Sequence, residues 1–173
     1  LQQLKKEWRK VIIMNKIIDL VNTNKMSLFV SLPSNNYDLA KAAWEHGADA
    51  IKVHIDVDHN ASKSTFGTLE SEKTVLKKII KDSPVPVGIV IGGSVELAEK
   101  NIQEVIDMGF DFISLYGHDT PLVQGLNHQI PHMFAINYSY SNDEIKDIAS
   151  SGIVDMIEMS ILPPEKYGTR INL

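Results

Sequence analysis

Six short runs rich in β-branched and aromatic residues alternate with helical patterns along the chain, and that alternation constrains the fold more than any other feature. The runs are SLFVSL from Ser27, AIKVHID from Ala50, VPVGIVIGG from Val85, FDFISLYGH from Phe110, HMFAINYSY from His132 and VDMIEMSIL from Val154. Each is short enough for a strand and bounded by Gly, Pro, Asn, Asp or Ser. Between them lie helix signals. Asn35 or Asn36 can cap SNNYDLAKAAWEHG, with Gly47 suited to the left-handed position after it. Thr68 with Glu70 to Glu72 starts a helix whose apolar side is Val75, Leu76, Ile79 and Ile80, and Ser83 with Pro84 ends it. Gly92 and Gly93 open the turn into SVELAEKNIQEVIDMG, and Ser141 or Asn142 caps DEIKDIASSG. A further helix over residues 1–22 is predicted from the stripe Leu4, Trp8, Val11, Ile12, Ile18 and Val21.

Strands that alternate with helices imply a parallel sheet covered on both faces. Six units at short intervals, with no GxGxxG after the first strand, match a (β/α)8 TIM-barrel-like α/β fold better than an open dinucleotide-binding sheet. The expectation is one domain spanning 1–173, with six of eight βα units present. A closed barrel usually takes about 250 residues. The C-terminal quarter is therefore expected to be missing, or else the open edges of the first and sixth strands are covered by another subunit in a homo-oligomer. The start at Leu1, without an initiator Met, favours an incomplete chain.

Composition excludes several classes. A net charge of −5 and a pI near 5.6 leave no basic stripe for nucleic acid. The absence of cysteine rules out disulfides and thiolate chemistry and fits a reducing cytoplasm. No apolar run approaches the roughly 20 residues that span a bilayer, so no membrane partner is expected.

The stretch Gly47 to His59, GADAIKVHIDVDH, carries the functional signal. With period two, Ile51, Val53 and Ile55 share one face and Lys52, His54 and Asp56 the other. In a sheet buried on both faces such a row needs partners or a water-filled site. The same parity turns Ser31, Ser114, Tyr116, His118, Asn137, Glu158 and Ser160 inward from other strands. Lys52 can pair with Glu158, orient an anion, or form a Schiff base; the ion pair is the plainest of these. Lys52, His54, Asp56, His118 and Glu158 form the expected catalytic set, for which His and a carboxylate are the usual acid and base. His54, Asp56 and His59 are also the types that bind a divalent metal, although a complete site needs ligands from other strands. Gly92, Gly93 and Ser94, between a strand end and a helix start, can receive an anion or form a capped tight turn. The loop HNASKSTFGTLE is long for a βα connection, as functional loops often are.

PVGIVIGGS, with its hydrophobic strand and glycine pair, and GADAIKVHID, a helix-Gly-Ala-Asp-strand junction, resemble the phosphate-binding TIM barrels over about residues 27 to 161. That group comprises sugar-phosphate isomerases, epimerases, decarboxylases and synthases, and its usual phosphate site follows the seventh and eighth strands, whereas the glycine pair here follows the third. The resemblance implies a small, anionic substrate and assigns no catalytic residue. The expected function is acid/base chemistry on a phosphorylated or carboxylated carbonyl or sugar compound, of isomerase, epimerase or lyase type. Ser31, Gly92, Gly93, Ser94, Tyr116, Asn137 and Ser160 would bind that substrate. The competing expectation is a non-catalytic ligand-binding or assembly subunit.

Overall fold

A computed structural model describes residues 16–121, 129–160 and 162–169. Helix α1 (Lys16–Thr23) is followed by β1 (Phe29–Ser31), α2 (Tyr37–Glu45) and β2 (Ala50–Ile55). A hairpin of β3 (Asp58–His59) and β4 (Ser64–Thr65) leads into α3 (Leu69–Asp82), β5 (Val87–Ile91), α4 (Val95–Met108) and β6 (Phe112–Tyr116). Then come β7 (His132–Asn137), α5 (Asn142–Ser150) and β8 (Met156–Ser160). The predicted leading helix is seen only from Lys16; Leu4, Trp8, Val11 and Ile12 lie outside the described residues.

Six strands form one parallel sheet in the order β1-β2-β5-β6-β7-β8. The sheet curls. From β2 to β8 is four strand steps, about 19 Å if flat at about 4.8 Å each, farther than a lysine and a glutamate can span together. Yet Lys52 Nζ lies 2.5 Å from Glu158 Oε2. Only a sheet rolled toward a barrel brings those strands face to face, so the architecture is an α/β half-barrel of six parallel strands. The outer edges of β1 and β8 have no strand partner among the described residues.

The predicted odd-even register holds along β2. Ile51, Val53 and Ile55 are fully buried on the outer face with Ile89, Ile91, Ile113 and Leu115, packed against Ala40, Leu76, Ile79, Ala98 and Val105 of the helices. Burying such a side chain contributes about 1.5–3 kcal/mol. Inner positions pair with inner positions across the ladder: Ser31 with Lys52, His54 with Val90, Val90 with Ser114, and Ala135 with Glu158. The floor of the half-barrel is apolar, made by Ala50, Phe112 and Met133 over Ile17 of α1. Gly88 makes room for it, since a Cβ there would lie 2.1 Å from the Phe112 ring.

Three aspartates just ahead of strands tie the sheet at its lower rim. Asp49 accepts the N–H of Leu28 at 2.7 Å, Asp111 that of Val87 at 2.8 Å, and Asp155 that of His132 at 2.9 Å. Each fills the first hydrogen-bond position on the preceding or following strand, where the ladder alone would leave a donor unpaired. The Gly-Ala-Asp junction is thus a structural device. Helix starts follow the expected signals, with Asn36, Thr68, Ser94 and Ser141 as N-caps and Ser141 with Glu144 closing a capping box. No helix among the described residues is long and apolar enough to cross a membrane.

Candidate active site

The upper interior of the half-barrel sets ionic and polar side chains among apolar ones around a cavity of about 370 Å³. At its centre Lys52, from β2, meets Glu158, from β8. Glu158 Oε2 also accepts from Ser114 Oγ of β6 at 3.0 Å, while Oε1 makes no hydrogen bond among the described residues. The pair is unequally sheltered, the Lys52 side chain being 10% and the Glu158 side chain 41% exposed. One carboxylate oxygen and the remaining ammonium protons are therefore available to a ligand.

His54, one inner position above Lys52, is 1% exposed. Its Nε2 lies 3.2 Å from Ser31 Oγ, and its buried Nδ1 has no hydrogen-bond partner among the described residues. Burial, then the nearness of His59 and Lys52, pulls its pKa down to about 3, so the imidazole is neutral at ordinary pH. Its ring packs against those of His59, 4.5 Å away, and Phe66, 4.6 Å away, which also meet each other edge to face at 6.1 Å. His59 is likewise held below the usual histidine range, chiefly by burial and by Lys52, and its Nδ1 lies 2.7 Å from Ser62 Oγ. The backbone of His54 extends past the end of β1, and the side chain of Asn35 takes the place of the absent strand. Its Nδ2 donates to the His54 carbonyl at 2.6 Å and its Oδ1 accepts from the His54 N–H at 3.2 Å.

The long polar loop after β2 is built around the β3–β4 hairpin, and His59 and Asn60 hang over the cavity from it. Tyr116, Ser160 and Asp119 complete the mouth. Burial, with Tyr167, Glu158 and Asp119 nearby, raises the Tyr116 pKa. Ser160 Oγ lies 2.9 Å from the Tyr167 hydroxyl. Asp119 titrates above the usual carboxylate range because of burial, against the opposing pull of His118.

Several expected site residues are placed elsewhere. Asp56 adopts φ 52, which ends the alternation after Ile55 and turns its carboxylate to Asn101 of α4, Oδ2 accepting from Nδ2 at 3.0 Å. It belongs to neither the cavity nor a metal set with His54 and His59. Among the described residues no group of three or more His, Asp or Glu could hold a metal ion. His118 lies in a 3-10 turn after β6, its side chain 63% exposed and stacked on Tyr116. Asn137 spends its Oδ1 on the N–H and hydroxyl of Ser139, stabilising the turn after β7. Ser94 is the N-cap of α4, accepting from Leu97 N–H at 3.3 Å. Gly92 and Gly93 do line the cavity, but the Gly93 N–H is given to the Asp56 carbonyl at 3.3 Å, which consumes one of the donors a phosphate cradle would need. The structure thus unites Ser31, Lys52, His54, His59, Gly92, Gly93, Tyr116, Glu158 and Ser160, adds Ser114 in contact with Glu158, and brings in Asp119, Asn60 and Tyr167, which sequence reasoning missed. Asp119 and Tyr167 follow strand ends in stretches with no alternation to read, and their only signal was that loops after strands carry chemistry in this fold class.

The fold and cavity define a parallel α/β half-barrel with an ionic interior. No protein-family model and no curated protein matches the chain. Among solved structures it is similar to an L-Ala-D/L-Glu epimerase, with 14% sequence identity and a TM-score of 0.45 over 83% of this chain and 44% of that one. The chain therefore spans less than half the length of that enzyme.

Proposed function

We propose that this half-barrel is an acid/base enzyme for a small carbonyl compound bearing a carboxylate, of isomerase, epimerase or lyase type. The observation that carries the reading is the Lys52–Glu158 pair facing a cavity, with Glu158 Oε1 making no hydrogen bond among the described residues. Glu158 would remove a proton from the carbon beside the carbonyl, the electron pair moving onto the carbonyl oxygen. The Lys52 ammonium, itself nine-tenths buried, would stabilise the resulting enolate by charge. A proton delivered to the opposite face of the same carbon completes racemisation, and one delivered to the neighbouring carbon, with the hydroxyl proton passing to the other oxygen, completes isomerisation; neither needs a co-reactant. His54, neutral at working pH, fits hydrogen bonding to the substrate or orientation of Ser31 better than the proton-transfer role its position on β2 suggests. Asp119 and Tyr116, both shifted upward, supply acids at the mouth.

The test is proton exchange in D2O, followed by NMR, across a panel of 2-oxo and 2-hydroxy acids. The wild type should exchange the proton beside the carbonyl or hydroxyl of at least one member. Glu158→Gln should slow that exchange by about 10²–10⁴-fold. Exchange at the wild-type rate in that variant overturns the proposal. A second reading, assembly of two or more copies, is supported by the edges of β1 and β8, which have no strand partner among the described residues, and by exposed Met26, Leu28, Ile153 and Met159 near them. Sedimentation that shows only monomer removes it.

A further inference from the structure

Behind the ion pair lies a second cavity of about 440 Å³, opening sideways between β1 and β8, the two ends of the sheet. Its walls among the described residues are Val21 of α1, Phe29 of β1, Met133 of β7, and Met156 with Ile157 of β8. It meets the polar cavity at Ser31, Lys52 and Glu158, which line both. Resting on the reading just proposed, we infer that this slot receives the hydrocarbon part of the substrate, so that the substrate class is amphipathic, with a carboxylated head above the ion pair and an uncharged apolar tail below it.

Phe29 and Met156 stand two residues before Ser31 and Glu158 on their strands, hence one inner position lower on the same face. A molecule crossing the ion pair therefore passes, within one step along the strands, from walls of mixed polar and apolar residues to walls that are apolar apart from Ser31, Lys52 and Glu158. Lys52 and Glu158, at the junction, are the slot's only charged lining among the described residues, so a second charged group at the far end of the substrate would be buried unpaired. The volume lies in the range of small-molecule sites, which are mostly apolar with a few placed polar groups. Two unbranched thioether side chains, Met133 and Met156, give the walls the adaptability to close on tails of different shape. A structural floor has no need of such a space, as the fully buried cluster of Ala50, Phe112 and Ile17 beside it shows.

Binding of straight-chain 2-oxo acids from pyruvate to 2-oxodecanoate, measured by calorimetry, tests the inference. In the wild type Kd should fall about fourfold per added methylene, the gain expected for burying each one, and level off when the slot is full. Met133→Trp, which adds bulk to the slot from β7 and keeps Lys52 and Glu158 themselves, should leave pyruvate binding unchanged and abolish the dependence on length. The wild-type series decides the matter alone if that variant does not fold. A flat series in which all members bind overturns the slot and leaves the acid/base reading standing. Absence of binding by every member overturns the head-group assignment on which both rest. A dependence on length that survives Met133→Trp sends the tail elsewhere and overturns the inference. So does a flat profile in a wild-type dimer that Met133→Trp converts to monomer, because a second copy then occupies the slot.

Discussion

Lowering the pH from 7.5 to 5.0 should remove about 4 kcal/mol of folding stability, and two buried histidines account for it. His54 and His132 are 1% and 2% exposed, with pKa values pulled down by burial to about 3 and about 4. Unfolded, each would titrate near 6.5. The folded pKa is the lower one, so the unfolded chain binds protons first. The contribution is fully present above about pH 6.5 and is lost as pH falls from there toward the folded values. At pH 5.0 each side chain is about 1.5 pH units below its unfolded pKa and still neutral in the fold, and at about 1.4 kcal/mol per unit each costs about 2 kcal/mol. Against a typical total of about 5–15 kcal/mol this is a large fraction. Urea unfolding followed by Trp44 fluorescence at both pH values measures it. His132 is the better probe, because it does not line the cavity and neither of its ring nitrogens is hydrogen-bonded among the described residues. His132→Leu should halve the pH-dependent loss to about 2 kcal/mol, and it should not destabilise the protein at pH 7.5, because two unsatisfied nitrogens leave the core. A variant that loses as much as the wild type on acidification would refute the assignment of that proton to His132.

Three further substitutions test how the scaffold holds the site. Gly88→Ala sets a methyl against the Phe112 ring and should destabilise by about 1–3 kcal/mol in urea melts, with the floor of the half-barrel displaced. Asp111→Ala strands the Val87 N–H and should cost about 1.5–3 kcal/mol, whereas Asp111→Asn, which keeps an acceptor, should cost less. Asn35→Ala removes both bonds to the His54 backbone and should speed amide exchange at His54 by at least tenfold, read by mass spectrometry, while leaving the lower strand positions protected.

The strands and their facing were legible because the two faces of each strand have different jobs. Outer positions of β2 and β6 pack on helices and are Ile, Val or Leu, while inner ones at the same height carry Lys52, His54 and Ser114. Period two exposes that contrast wherever backbone geometry is regular. It fails at Asp56, where one left-handed residue breaks the alternation, and an aspartate gives no sequence sign of doing so because it tolerates that conformation. It fails also for β3 and β4, whose two-residue strands carry no β-branched pattern beyond Thr65. Asn35 was legible only as a possible helix cap, since its role as a substitute strand edge depends on β1 ending before β2. Asn137 and Ser94 had the right parity or position, but short polar side chains near turns find backbone donors locally before they find a ligand.

Whether Lys52 and Glu158 are scaffold or chemistry turns on what the fold gains from them. Burying the Lys52 ammonium costs several kcal/mol, and its attraction to a carboxylate that stays partly in water is screened, so apolar residues of similar size would hold the half-barrel at least as well. The neighbouring inner layer shows that this chain can do so, closing its floor with Ala50, Phe112 and Met133. One step higher the apolar solution is set aside on three strands together: Lys52 on β2, Ser114 on β6 and Glu158 on β8. Glu158 is left two-fifths exposed to an open cavity, with Oε1 making no hydrogen bond among the described residues. An ion pair open on the side facing solvent is what the proposed ligand-binding role calls for, and the exchange experiment with Glu158→Gln decides between that role and scaffold.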